Sequence, residues 1–128
     1  MRILAALFIE DMQLRQAPGP STRIDLTGIK FSEVSPSAAP VTITPHLVVL
    51  LYCPPDGKPE AALEVTYHRD GDQVARNLQL ADVEPGKFSY RLVRAELTFD
   101  DYGSVEAHCR VDDGEPLVVP YTLLPPVT

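Results

Sequence analysis

Phe99-Asp100-Asp101-Tyr102-Gly103-Ser104-Val105-Glu106-Ala107-His108-Cys109-Arg110-Val111 decides how this chain is read. After the glycine, Val105, Ala107, Cys109 and Val111 alternate with Glu106, His108 and Arg110, which is the period of a half-buried β-strand entered through a tight corner. Working outward, the same reasoning places strands at 2–9, 23–31, 46–52, 61–68, 73–80, 88–99 and 116–123. No convincing helix remains between them: the apolar residues of 2–14 are contiguous and lack a spacing of three and four. Asp70-Gly71 and Asp113-Gly114 read as hairpin turns, because both residue types tolerate positive φ. Thirteen prolines punctuate the remaining segments and block helices. The expectation is a single antiparallel β-sandwich domain spanning residues 1–128.

Two strands carry marks of irregularity. Pro116 and Pro120 each lack a ladder donor, so the strand at 116–123 should lie at a sheet edge or carry a bulge. Gly28 interrupts the alternation of Ile24 and Leu26 before Ile29 and Phe31, which predicts a bulge there. The stretches 10–22 and 32–45 are the two long irregular segments, and variable binding loops would reside in them.

The corner Asp101-Tyr102-Gly103 resembles the one that introduces strand F of immunoglobulin-like domains, whose pattern is Asp-x-Gly-x-Tyr-x-Cys. Val105 stands at the tyrosine position and Ala107 at the cysteine position. The resemblance implies that 104–111 is strand F, 116–123 strand G, 88–99 strand E and 46–52 strand B. The expected fold is thus all-β, an immunoglobulin-like antiparallel β-sandwich of about eight strands with no substantial helix. The chain has no tryptophan, so Tyr67 or Phe88 must fill the volume of the indole packed in antibody domains. The whole chain is also similar to an uncharacterised bacterial family of small sandwich proteins, a domain of unknown function. That likeness rests on Leu7-Phe8-Ile9-Glu10-Asp11, Asp25-Leu26-Thr27-Gly28 and Arg69-Asp70-Gly71. It implies a bacterial protein and brings no catalytic or binding residue.

Eighteen acidic against eleven basic residues give a formal charge of -7, which repels nucleic acid and anionic membrane surfaces. The apolar opening from Met1 to Ile9 is short for an export signal and meets Glu10-Asp11 with no small-x-small site, so it is read as a strand. A reducing cytoplasm is the expected compartment.

Several constellations bear on chemistry. The resemblance raises an inter-sheet bridge between Cys53 and Cys109, whereas a reducing compartment favours two buried thiols that behave as small apolar side chains. His46, His68 and His108 match no zinc spacing, and His108 and Cys109 point to opposite faces of one strand, so the histidines are expected on solvated outer faces. Turns at 69–72 and 100–103 should fall at one end of the sandwich and gather Asp70, Asp72, Asp100 and Asp101. Four carboxylates there would suit calcium, but aspartate is also what tight turns select, and the turn role is preferred. No nucleophile elbow, phosphate loop or zinc-protease motif occurs. No catalytic, cofactor-binding or metal-binding residue is therefore assigned, and no cofactor is expected.

The useful anomaly is excess apolarity at 3–9 and 47–52. Leu47, Val49 and Leu51 alternate with Val48, Leu50 and Tyr52, although a two-layer sandwich needs one apolar face per strand. Either residues 10–22 or 32–45 cover the second face, or another subunit does. The expected function is a non-catalytic protein-protein interaction module, homodimeric through strands 2–9 and 46–52. The alternative is a small-ligand or calcium-binding accessory protein, and an enzyme ranks third.

Overall fold

The computed structural model describes residues 1–19, 21 and 23–127. Pro20 and Thr22, within the expected irregular stretch 10–22, and the final Thr128 lie outside it. The described residues contain no helix, and hence none long and apolar enough to cross a membrane. Eleven strands appear where about eight were expected: β1 (Arg2–Arg15), β2 (Arg23–Ile29), β3 (Ser32–Val34), β4 (Val41–Ile43), β5 (His46–Tyr52), β6 (Glu60–Arg69), β7 (Asp72–Asp82), β8 (Phe88–Arg94), β9 (Leu97–Phe99), β10 (Gly103–Val111) and β11 (Leu117–Leu124).

One sheet runs β2-β1-β5-β8 and the other β3-β11-β10-β6-β7, with β4 and β9 forming a small pair beside them. All pairings are antiparallel except β3 with β11. The fold is an all-β sandwich. Between the sheets lie Phe8, Leu47, Val49, Leu51 and Val93 from one side and Leu63, Val65, Tyr67, Val105 and Tyr121 from the other, all essentially without exposed surface. Phe8 and Tyr121 meet across the layers with ring centroids 4.5 Å apart and a tilt of 35°. Tyr67 is fully buried in this core, whereas Phe88 is an exposed residue of β8.

The added strands have local causes. The segment 88–99 breaks at Ala95-Glu96, so β8 stays in the first sheet while β9 pairs with β4; the expected loop 32–45 supplies β4 for that pair and also β3, which pairs with β11. Tyr102 secures that segment, because the Ala39 N–H donates to its hydroxyl at 2.9 Å. Gly103 has φ +146, as its corner requires, and Asp70 and Gly71 both take positive φ in the β6-β7 turn. Gly28 corrects the reading of a bulge. The β1-β2 register is unbroken on either side of it, and what the position needs is a left-handed backbone (φ +65) beneath the Glu10 side chain, which a Cβ would meet at 2.7 Å.

Pro116 precedes β11, which is not an edge strand over its whole length. The Thr122 N–H donates to the Phe31 carbonyl on the β3 side. Pro120 faces that same side two residues earlier, before β3 begins at Ser32 opposite Thr122, so its missing donor falls where no strand is paired.

Candidate functional site

The longest uncovered edge of the molecule is β7. Its partner β6 sets which face is which: Ala75, Asn77, Gln79 and Ala81 stand opposite the inward-facing Tyr67, Val65, Leu63 and Ala61. Arg76, Leu78 and Leu80 consequently point outward. Leu80 is 84% exposed and Leu78 54%. Polarity is thus inverted on this strand, with amides half-buried under its inner face and leucines in water. Gln79 Nε2 donates to Asn77 Oδ1 at 3.0 Å and so satisfies part of that inner polar row. This eleven-residue edge has no proline or lysine and bears bare leucines; of the devices that protect edge strands it keeps the charges of Asp72, Arg76 and Asp82 and a bulge at Val74.

Beside the leucines the outer face of the same sheet is a charged network. Glu64 accepts from Arg76 Nε at 2.7 Å and from Arg110 Nη2 at 2.7 Å, bridging β7, β6 and β10. Those two guanidinium groups hold the Glu64 carboxyl below its usual range. Next along the face the rings of His68 and His108 stack at 4.1 Å, with His68 Nε2 2.8 Å from Thr66 Oγ1 and His108 Nε2 3.4 Å from Glu106 Oε1. Both occupy the outer face, half-buried. His46 is elsewhere, on β5 in the first sheet.

His46 borders a cleft of about 510 Å³ at one end of the sandwich, together with Glu10, Lys30, Glu33, Thr42 and Tyr121. The buried Tyr121 hydroxyl donates to Glu33 Oε1 at 2.8 Å, and burial followed by the carboxylates of Glu33 and Glu10 raises the Tyr121 pKa. This cleft holds charges of both signs.

The aspartate turns do meet at one pole, but a cation stands between them. Arg69 donates from Nη2 to the Tyr102 carbonyl at 3.0 Å and lies 4.8 Å over the Phe99 ring, while its Nε is 3.9 Å from Asp70. Asp101 is occupied with its own turn, accepting from the Tyr102 N–H at 2.8 Å. Among the described residues no three His, Cys, Asp or Glu side chains gather closely enough to hold a metal ion. Cys53 and Cys109 are unbridged and fully buried. Burial pushes the Cys109 thiol up to about 12. Cys53 Sγ lies 3.5 Å from the carbonyls of Pro54 and Lys58.

The face expected to be the dimer contact is not open as the alternation suggested. Val48 has no exposed surface, and Leu7, Leu50, Tyr52 and Leu92 around it are half-buried. Beyond Ile9 and Ile29, β1 and β2 leave the sheet as a two-stranded arm, paired from Asp11-Thr27 to Arg15-Arg23. Residues Leu14, Arg15 and Ile24 of the arm share a cleft of about 410 Å³ with Phe88, Ser89 and Tyr90 of β8. β2 and β8 are opposite edges of their sheet, so this proximity requires the arm to fold back across the outer face. Arg15 pairs with Asp25 at 2.7 Å and ties the arm's strands together, while Arg23 pairs with the same carboxylate at 3.1 Å within β2.

The sequence reading missed the arm, the inverted β7 and the guanidinium at the aspartate pole. Alternation of Met12 with Leu14 and of Ile24 with Leu26 was the available signal for the arm. Nothing in residues 73–80 tells which of the two alternating sets faces inward. Searches against protein-family models and curated proteins found no match for this chain.

Proposed function

We propose that this chain is an immunoglobulin-like sandwich that serves as a non-catalytic protein interaction module, binding an extended segment of its partner along the β7 edge. The observation that carries the reading is Leu80, 84% exposed on an eleven-residue strand whose outer neighbour position is vacant among the described residues. Strand addition would pair its outward backbone groups and cover the leucines together. The immunoglobulin-like reading is supported by β5 and β8 sharing one sheet while β6, β10 and β11 share the other, the division of strands B and E from C, F and G. Two buried, unbridged cysteines and the acidic surface fit a bacterial cytoplasm.

A short peptide with leucine at alternate positions and aspartate at one end tests the edge. In a titration followed by amide NMR, shifts should concentrate on Arg76, Leu78, Leu80 and Asp82. Absence of any shift at millimolar peptide in protein kept monomeric by dilution, or shifts confined to the first sheet, would overturn the assignment.

A second reading, a small-ligand accessory protein, is favoured by the end cleft alone, where Glu10, Lys30, Glu33 and His46 converge. Zwitterionic small molecules fit its mixed charge. A melting screen with free amino acids should then raise Tm, and Glu33→Gln should abolish the rise.

A further inference from the structure

We infer that the occupant of the β7 edge is the β7 strand of a second copy of this chain, paired antiparallel about a two-fold axis through Gln79. This rests on the edge reading above and names its partner. The backbone fixes which residues can pair. The Val83 N–H donates to the Pro59 carbonyl, so odd-numbered residues from Ala75 to Val83 bond to β6. Arg76, Leu78, Leu80 and Asp82 therefore direct their N–H and C=O groups outward, and in a self-paired ladder these must face one another.

Three registers satisfy that condition within the strand. Centring on Asn77 would set Val74 against Leu80, but Val74 is the residue left over in the bulge, because Ala75 pairs with Tyr67 and Gln73 with His68. Centring on Leu78 would set Arg76 against the partner's Leu80 and leave Asp82 facing an apolar residue. Centring on Gln79 sets Arg76 opposite the partner's Asp82 and Leu78 opposite the partner's Leu80, and symmetry repeats both pairs. Opposite charges and like apolar side chains directly across a ladder are the favourable arrangement. The groups are ready for it. Asp82 is exposed and makes no ion pair among the described residues, and the Arg76 side chain stays 51% exposed while it binds Glu64. The contact is self-complementary, as a two-fold dimer demands, and it joins two five-stranded sheets into one.

Sedimentation velocity over micromolar to near-millimolar protein tests the inference. The native chain should pass from monomer to dimer. Leu80→Pro removes an N–H that the β6 ladder does not use, and should give a folded monomer by circular dichroism. Asp82→Arg sets guanidinium against guanidinium, Arg76→Asp sets carboxylate against carboxylate, and each alone should be monomeric. Mixed in equal amounts, those two variants regain both ion pairs and should form a heterodimer. If Leu80→Pro fails to fold, the mixing experiment decides. A native monomer at every concentration, or a dimer that persists in Asp82→Arg, would overturn the second copy as occupant. If the alternating peptide still shifts the β7 amides of that monomer, only the choice of partner has failed; if it does not, the edge reading fails too.

Discussion

Val48 and Leu80 both project from the outer face of a sheet, yet Val48 has no exposed surface and Leu80 is 84% exposed. The first sheet covers its outer apolar face with a piece of the same chain, the arm of β1 and β2. The second sheet leaves its outer leucines at an edge with nothing beyond it among the described residues. An apolar outer face therefore reports a covering element in one case and an unoccupied margin in the other, and only the strand order separates them.

The largest effect should come from charging the covered side. Val48→Asp places an unpaired carboxylate beneath the arm and should cost about 3–5 kcal/mol or prevent folding, measured by urea denaturation. A cost below that of an exposed substitution would mean that the arm does not close over the face. Gly28→Val acts on the arm's departure point. It forces a β-branched residue into φ +65 against Glu10, and should destabilise by about 1–3 kcal/mol and raise amide exchange in residues 11–15 and 23–27.

The core shared by the two sheets responds to alkali. A thiol whose folded pKa is raised contributes stability that is complete below its unfolded value, near 9, and is lost as pH climbs toward about 12. Tyr67 and Tyr121, also raised by burial, act in the same direction. Stability should fall across that window, and Cys109→Ala should soften the fall; the same native slope in the variant would remove Cys109 as a cause. Glu64 on the open outer face behaves oppositely. Its lowered pKa adds stability above the usual carboxylate value of 4.5 that disappears as pH falls through the folded value. Glu64→Gln should lower Tm slightly at neutral pH and have no effect in strong acid.

The smallest effect belongs to the bare edge. Leu80→Asp should change monomer stability by no more than about 0.5 kcal/mol, because little surface is withdrawn from water there. A loss comparable to that of Val48→Asp would show that Leu80 is covered.

Much of the sandwich was legible from local rules. The strand from Gly103 to Val111 declared itself by alternation, and Asp70-Gly71 by its tolerance of positive φ, since both depend on a few neighbouring residues. What was not legible depends on partners distant in sequence. Leu78 and Leu80 alternate as core residues would; it is Ala61, Leu63 and Val65 on β6 that place Ala81, Gln79 and Asn77 on the inner side instead. The arm escaped notice because the polar residues Glu10 and Asp11 suggested that the first strand had ended, whereas they mark where it leaves the sheet. The candidate site was read least well. Arg69, which separates the aspartate turns, sits in the hairpin where sequence marks only the turn itself.

The parallel pairing of β3 with β11 has a consequence in time. Ser32 meets its ladder partner only at Thr122, so this margin of the second sheet requires a loop closure that spans most of the chain. The β6-β7 hairpin, joined by two residues, is complete within itself and forms on the scale of about 1–10 μs, whereas chains dominated by distant strand pairs fold over milliseconds to seconds. In any molecule where that hairpin has paired ahead of the distant strands, the leucines of β7 stand in water with nothing over them. Refolding at high protein concentration should thus lose more material to aggregation in the native chain than in Leu80→Asp, even though their final stabilities are alike.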